Sequence, residues 1–174
     1  MDLTKAVLPD SVIVSGKTYK IHTGHPYWFR FAEILDQEVK YLTDFDFMFI
    51  DEIPSDRQAG IDALCEFFSE KKEIPRSLGE SGVRIVDYQI DADYIYAGIL
   101  QCYGVDLADK EYHWHKVRAM IYGMTGTLFN DIMTYRSAKP GDKTYDKLRR
   151  IWALPEKESD ADREARARFD AQFN

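Results

Sequence analysis

The residues of this 174-residue chain that could carry chemistry are its four histidines, its two cysteines and one spaced run of aspartates. His113-Trp114-His115 falls on a predicted helix, where residues two apart point about 160° away from each other. The pair therefore cannot share a metal ion there. His22 and His25 lie at a strand-to-helix junction before Pro26, and a metal site would need a third ligand from far along the chain. Asp87, Asp91 and Asp93 alternate with apolar residues and imitate a carboxylate cluster. Asp91 reads better as a helix N-cap, Asp93 as a first-turn acid favoured by the helix dipole, and Asp87 as the solvent face of a strand. Cys65 and Cys102 sit in apolar helical patterns with no nearby cysteine, as buried reduced thiols do. No P-loop, Gly-x-Gly-x-x-Gly or nucleophile elbow is present, and Gly79-Glu80-Ser81-Gly82 reads as a loop. The residues therefore nominate no catalytic group, metal or cofactor, and favour an interaction protein over an enzyme.

The elements that carry these residues can be read from periodicity and punctuation. Ser11–Val14 and Thr18–Ile21 are short β-type runs joined at Ser15-Gly16, a hairpin signal. Pro26 opens a helix over Tyr27–Val39 with Trp28, Phe31, Ile34 and Leu35 on one stripe. A helix capped within Ser55-Asp56-Arg57-Gln58 runs to about Lys72 with Ile61, Leu64, Cys65 and Phe68 inward, and Glu73–Gly82 follows as a loop. Val83–Ile90 alternates well enough for a strand that could join the hairpin. Ala92–Tyr103, closed by Gly104, is apolar nearly all round and reads as the central buried helix. Helices over Asp109–Tyr122, from Thr125 or Thr127 through Tyr135, and around Tyr145–Trp152 complete the set. The expected fold is α+β, mainly α: six or seven helices with a small antiparallel sheet made of the N-terminal hairpin and a strand near 83–90. Residues 1–155 read as one domain, and 156–174 as a charged tail or docking helix.

The net charge is −7, and it is uneven. Glu33–Asp56 holds Glu33, Asp36, Glu38, Asp44, Asp46, Asp51, Glu52 and Asp56 against the single base Lys40. Arg136–Arg150 holds Arg136, Lys139, Lys143, Lys147, Arg149 and Arg150 against Asp142 and Asp146. An acidic and a basic region on one chain suit self-association, although solvated helix faces are the plainer reading. Tyr145 and Trp152 interleave with the bases as a nucleic-acid stacking surface would, but they also fit one apolar helix face, so nucleic acid is an unlikely partner. The longest apolar run, Tyr94–Leu100, is too short to span a membrane, and no secretory signal follows Met1. Aromatics reach 14%, enough for both a core and an interface. Phe45, Phe47, Met48 and Phe49, interrupted by aspartates, are candidate protein-contact residues or a short core-plugging helix. Arg149 and Arg150 are candidates for polar self-contact.

Several blocks resemble a bacteriophage family, the gene-product-fifteen family. They are Leu8-Pro9-Asp10-Ser11-Val12-Ile13-Val14-Ser15-Gly16-Lys17-Thr18-Tyr19-Lys20-Ile21, Trp28-Phe29-Arg30-Phe31, the stretch from Ser81 to Ala97, and Gln101 to Leu107. His113 to Ala119, Ile132 to Arg136 and Ala153-Leu154-Pro155 continue the similarity in the same order, over roughly residues 8–155. The resemblance implies a long-tailed phage protein encoded beside the tape-measure protein, acting in the cytoplasm of the bacterial host. It implies a tail-assembly chaperone that binds the tape-measure protein, self-associates as a homo-oligomer, and contacts the tail tube protein. A structural tail or connector component, or a nucleic-acid-binding regulator, is the alternative. The resemblance supplies no catalytic residues.

Overall fold

A computed structural model describes residues 7–37, 40–69 and 84–155. The tail beyond Pro155 and the whole of the Glu73–Gly82 loop lie outside the described residues.

Ser15 and Gly16 both adopt positive φ, 50° and 82°, the backbone that a two-residue type I′ turn requires. They join β1 (Ser11–Val14) to β2 (Lys17–Lys20), antiparallel with Val12 opposite Tyr19 and Val14 opposite Lys17. Val12, Val14 and Tyr19 face the core, while Ile13 points out. A lone hairpin is not stable in water. Its third partner is a 3-10 helix, Leu42–Met48, and the residues that follow it. The His22 N–H donates to the Met48 carbonyl (2.9 Å) and the Ile50 N–H to the Lys20 carbonyl (3.1 Å).

The expected strand near 83–90 is corrected. Val83 lies outside the described residues, and Arg84–Ile90 forms no ladder. Asp87 is the reason. It is buried, and its carboxylate accepts the backbone N–H groups of Gln89 (2.8 Å) and Ile90 (2.9 Å) and meets the Arg84 guanidinium. An aspartate that satisfies its own downstream backbone builds a turn in place of a ladder.

Among the described residues there are six α-helices: α1 (His25–Asp36), α2 (Arg57–Ser69), α3 (Ala92–Tyr103), α4 (Trp114–Gly123), α5 (Leu128–Ser137) and α6 (Asp146–Ile151). In α1 the expected stripe packs inward, with Trp28 and Phe31 fully buried. Trp28 stacks on Phe67 (4.8 Å) from α2, and Phe68 stacks on Trp114 (4.9 Å) from α4. These four rings tie three helices together. The cap of α2 is Asp56, whose carboxylate accepts the Ala59 N–H at 3.0 Å, while Gln58 turns to Asp62. Thr127 caps α5 in a reciprocal box with Asn130. Gly104, at φ 62°, closes α3.

Two features of α3 depart from expectation. The helix is not central: Ile95, Gly98 and Ile99 are buried, while Tyr96, Ala97, Leu100 and Tyr103 are exposed. Nor does Asp91 cap it by a side-chain hydrogen bond. Its carboxylate, fully buried, receives both arms of the Arg136 guanidinium at 2.7 and 2.9 Å and the Asp87 N–H at 2.9 Å. Arg136 also donates to the carbonyls of Ile85 (3.0 Å) and Trp152 (2.7 Å). One guanidinium thus fastens segment 84–91, α3, α5 and the end of α6. Arg136 therefore leaves the basic stretch and belongs to the interior.

Candidate functional site

Between α1 and α3 the helices diverge and leave an open groove of about 620 Å³. Pro26, Phe29, Arg30 and Glu33 of α1 form one wall, and Ala92, Ile95 and Tyr96 of α3 form the other. Tyr88, Gln89, His25 and Leu107 close its floor. The segment that carries Tyr88 is the one that Asp87, Asp91 and Arg136 hold without a sheet. Phe29 supports the floor by packing on Tyr88 (5.7 Å) and edge-on to Trp114 (5.7 Å). Burial, with a smaller push from Tyr122, raises the Tyr88 phenol to about 12, so it stays neutral. The Tyr96 hydroxyl donates to Asp106 at 2.9 Å. Beside it, the exposed Tyr96, Leu100 and Tyr103 lie at i, i+4 and i+7 along α3 and continue the apolar surface outward. A helix apolar on all sides usually has neighbours on all sides; here one face is left exposed, held at its edges by the Tyr96 bond to Asp106 and the Tyr103 bond to the Met120 carbonyl (3.1 Å).

A second, polar hollow shares Arg30 and Glu33 with the groove and is lined by Gln37, Thr43, Asp44 and Phe47. The Arg30 guanidinium lies over the Phe47 ring at 4.6 Å, which stacks on Tyr27 (6.4 Å). Phe47 is thus a half-buried groove neighbour. Phe45, Met48 and Phe49 are core residues: Phe45 packs edge-on to Phe31 (5.3 Å) and Phe49 to Tyr19 (6.2 Å). The core-plugging alternative holds for these three, because the 3-10 turn sends them inward and Asp44 and Asp46 outward. Asp46 is held by Arg57 at 3.0 Å, Asp44 accepts the Tyr41 N–H, and Glu52 is bound by Lys17. Much of the acidic segment is therefore used within the chain. Arg149 is half-buried against Asp146 (3.3 Å), whereas Arg150 stands out on the surface and reaches the same carboxylate at 2.5 Å. Tyr145 packs on Tyr135, and Trp152 edge-on against Tyr94. Cys65 is half-buried and its thiol is pushed up by burial, whereas Cys102 is exposed, contrary to expectation.

The histidines come closer than a helical spacing allows. His113 precedes α4 as its N-cap, and its Nδ1 accepts the His115 N–H at 3.1 Å. The two rings stand 5.2 Å apart. His113 Nε2 bonds the Pro9 carbonyl (2.9 Å) and His115 Nε2 the Phe67 carbonyl (3.1 Å), so both rings pin distant chain. His25 Nδ1 accepts the Tyr112 N–H at 3.1 Å. Among the described residues no group of three or more His, Cys, Asp or Glu side chains could hold a metal ion.

Burial holds His25, His113 and His115 below the ordinary 6.5. The folded state keeps them neutral, while the unfolded chain takes up protons as pH falls through 6.5. Their stabilisation is complete above that value and is lost on descending toward their folded values. The expected result is a melting temperature that drops between about pH 7 and pH 5, before ordinary carboxylates titrate. Circular dichroism melts across that range check it, and a flat profile would refute it.

The groove was not legible as a site in the sequence, and its signal was the all-round apolarity of α3. Its lining suits contact: an apolar trough, Glu33 and Arg30 at its edge, and a neutral phenol. No helix among the described residues is long and apolar enough to cross a membrane. No curated protein and no solved structure matches the chain. The family model described as Bacteriophage Gp15 protein matches residues 5–157, nearly the whole chain, and the chain belongs to that family.

Proposed function

We propose that this phage protein is a non-enzymatic tail-assembly chaperone that binds the tape-measure protein and associates with itself during tail morphogenesis. The observation that carries the reading is the exposed apolar face of α3, Tyr96, Leu100 and Tyr103, continuous with the groove beside α1. A long helical partner needs such a surface, since an amphipathic helix packs its apolar ridge, with anchors at i, i+4 and i+7, against a matching exposed apolar face. Family membership supports the phage setting.

Co-expression with fragments of the tape-measure protein tests it. The fragments are expected in the soluble fraction and co-purify with this chain. Tyr96→Glu with Leu100→Glu is expected to abolish co-purification, with a melting curve establishing that the variant stays folded although Tyr96 gives up its bond to Asp106. Fragments that stay insoluble, or remain bound to the double variant, would remove the reading. Mass spectrometry of mature particles separates a chaperone, which is absent, from a retained tail component.

A further inference from the structure

We propose that the groove between α1 and α3 receives the basic end of a second copy of this chain, Ile151 seated in the trough and Lys147 and Arg150 reaching its rim. The proposal supplies a contact for the self-association included in the reading above, and rests on that part of it.

The groove has an apolar floor and an acidic margin. Glu33 lines it and Asp93 stands one turn before Tyr96. Asp106 is bonded to the Tyr96 hydroxyl, and Glu111 lies against Gly24 beside His25. Arg30 is the base in the lining, and its guanidinium is over Phe47. The matching surface is on α6. Lys147, Arg150 and Ile151 fall at i, i+3 and i+4, and all are exposed, Ile151 at 62%; Arg150 shares Asp146 with Arg149 and stays open to solvent on its outer side. The opposite face of α6 is occupied, with Leu148, Arg149 and Trp152 turned inward to half-buried positions.

Shape and charge then agree. One isoleucine fills little of a 620 Å³ trough. The aliphatic stems of Lys147 and Arg150 can cover the remaining apolar wall while their charged ends meet Glu33 and Asp93. Within one molecule the contact is out of reach. Trp152 packs on Tyr94, and Arg136 holds the Trp152 carbonyl, so α6 sits on the flank of α3 that faces away from Tyr96. Two different patches on one chain make a heterologous contact, which builds either a ring or an open row of copies.

Sedimentation of the full chain over a range of concentrations, at low and high salt, tests the contact. The wild type is expected to associate, and less so at high salt. Lys147→Glu with Arg150→Glu is expected to weaken association by roughly tenfold or more, as is Glu33→Lys with Asp93→Lys. All four changes together are expected to restore it. Ile151→Asp is expected to abolish it without charge reversal. Melting curves establish that each variant is folded. A wild type that stays monomeric throughout, association unmoved by either reversal, or no recovery in the fourfold variant would each overturn the proposal. Tape-measure fragments held soluble by a monomeric chain would overturn this contact while leaving the chaperone reading standing.

Discussion

Arg136→Met is expected to lower the stability of the fold by about 3–5 kcal/mol, the cost of leaving a buried charge without its partner. The Asp91 carboxylate is completely buried and Arg136 very nearly so. Methionine fills much of the arginine volume, so the loss reports the polar network more than a cavity. After the substitution Asp91 keeps the Asp87 N–H and loses both charged donors, and the carbonyls of Ile85 and Trp152 lose theirs. Asp91→Leu alone strands the arginine in the same way. The double variant Arg136→Met with Asp91→Leu is expected to recover a large part of the loss, because it removes both charges at once. Urea unfolding of the four proteins closes the cycle. Additive losses would show that the two side chains act independently.

Trp114→Ala is expected to cost a similar 3–5 kcal/mol, for a different reason. The ring is fully buried, stacks on Phe68 and meets Phe29 edge-on, so its removal leaves a cavity among aromatic neighbours that cannot close. Its indole N–H donates to the Phe68 carbonyl at 3.1 Å, which separates it from Trp28, whose buried indole N–H has no partner among the described residues. Trp28→Phe is therefore expected to be the milder of the two phenylalanine substitutions, since only Trp114→Phe strands a carbonyl. Equal losses in urea titrations would contradict the hydrogen-bond distinction.

The parts of this fold that announce themselves in sequence are those decided locally. Ser15-Gly16 reads as a tight hairpin turn because Gly16 takes positive φ freely, Ser15 is small and polar, and β-type residues flank them. Thr127 with Asn130 is a cap written in four residues. The parts that misread are those decided at a distance. Asp87 sits in an alternating run that suits a strand, yet its carboxylate satisfies the backbone ahead of it, and the run turns. Asp91 stands where an N-cap should, but Arg136, 45 residues on, claims it. The aspartates around Phe45 suggest an exposed segment, and the 3-10 repeat sorts acids from aromatics instead. The groove misread for a related reason. Apolarity all round α3 suggests burial, yet Tyr96, Ala97, Leu100 and Tyr103 stay exposed along one side of the helix.

The bridge between Gly24 and His113 has a consequence for the order in which this protein can be finished. Thr23 accepts the Trp114 N–H, the His25 N–H donates to the Tyr112 carbonyl, and His113 grips Pro9. The first strands and the first helix are therefore completed by residues that a ribosome adds about ninety positions later. Until α4 emerges, Trp28, Phe67 and Phe68 have no Trp114 to close over them. A nascent chain paused before α4 emerges from the ribosome lacks these closing contacts and leaves Trp28 and Phe68 without the ring that covers them.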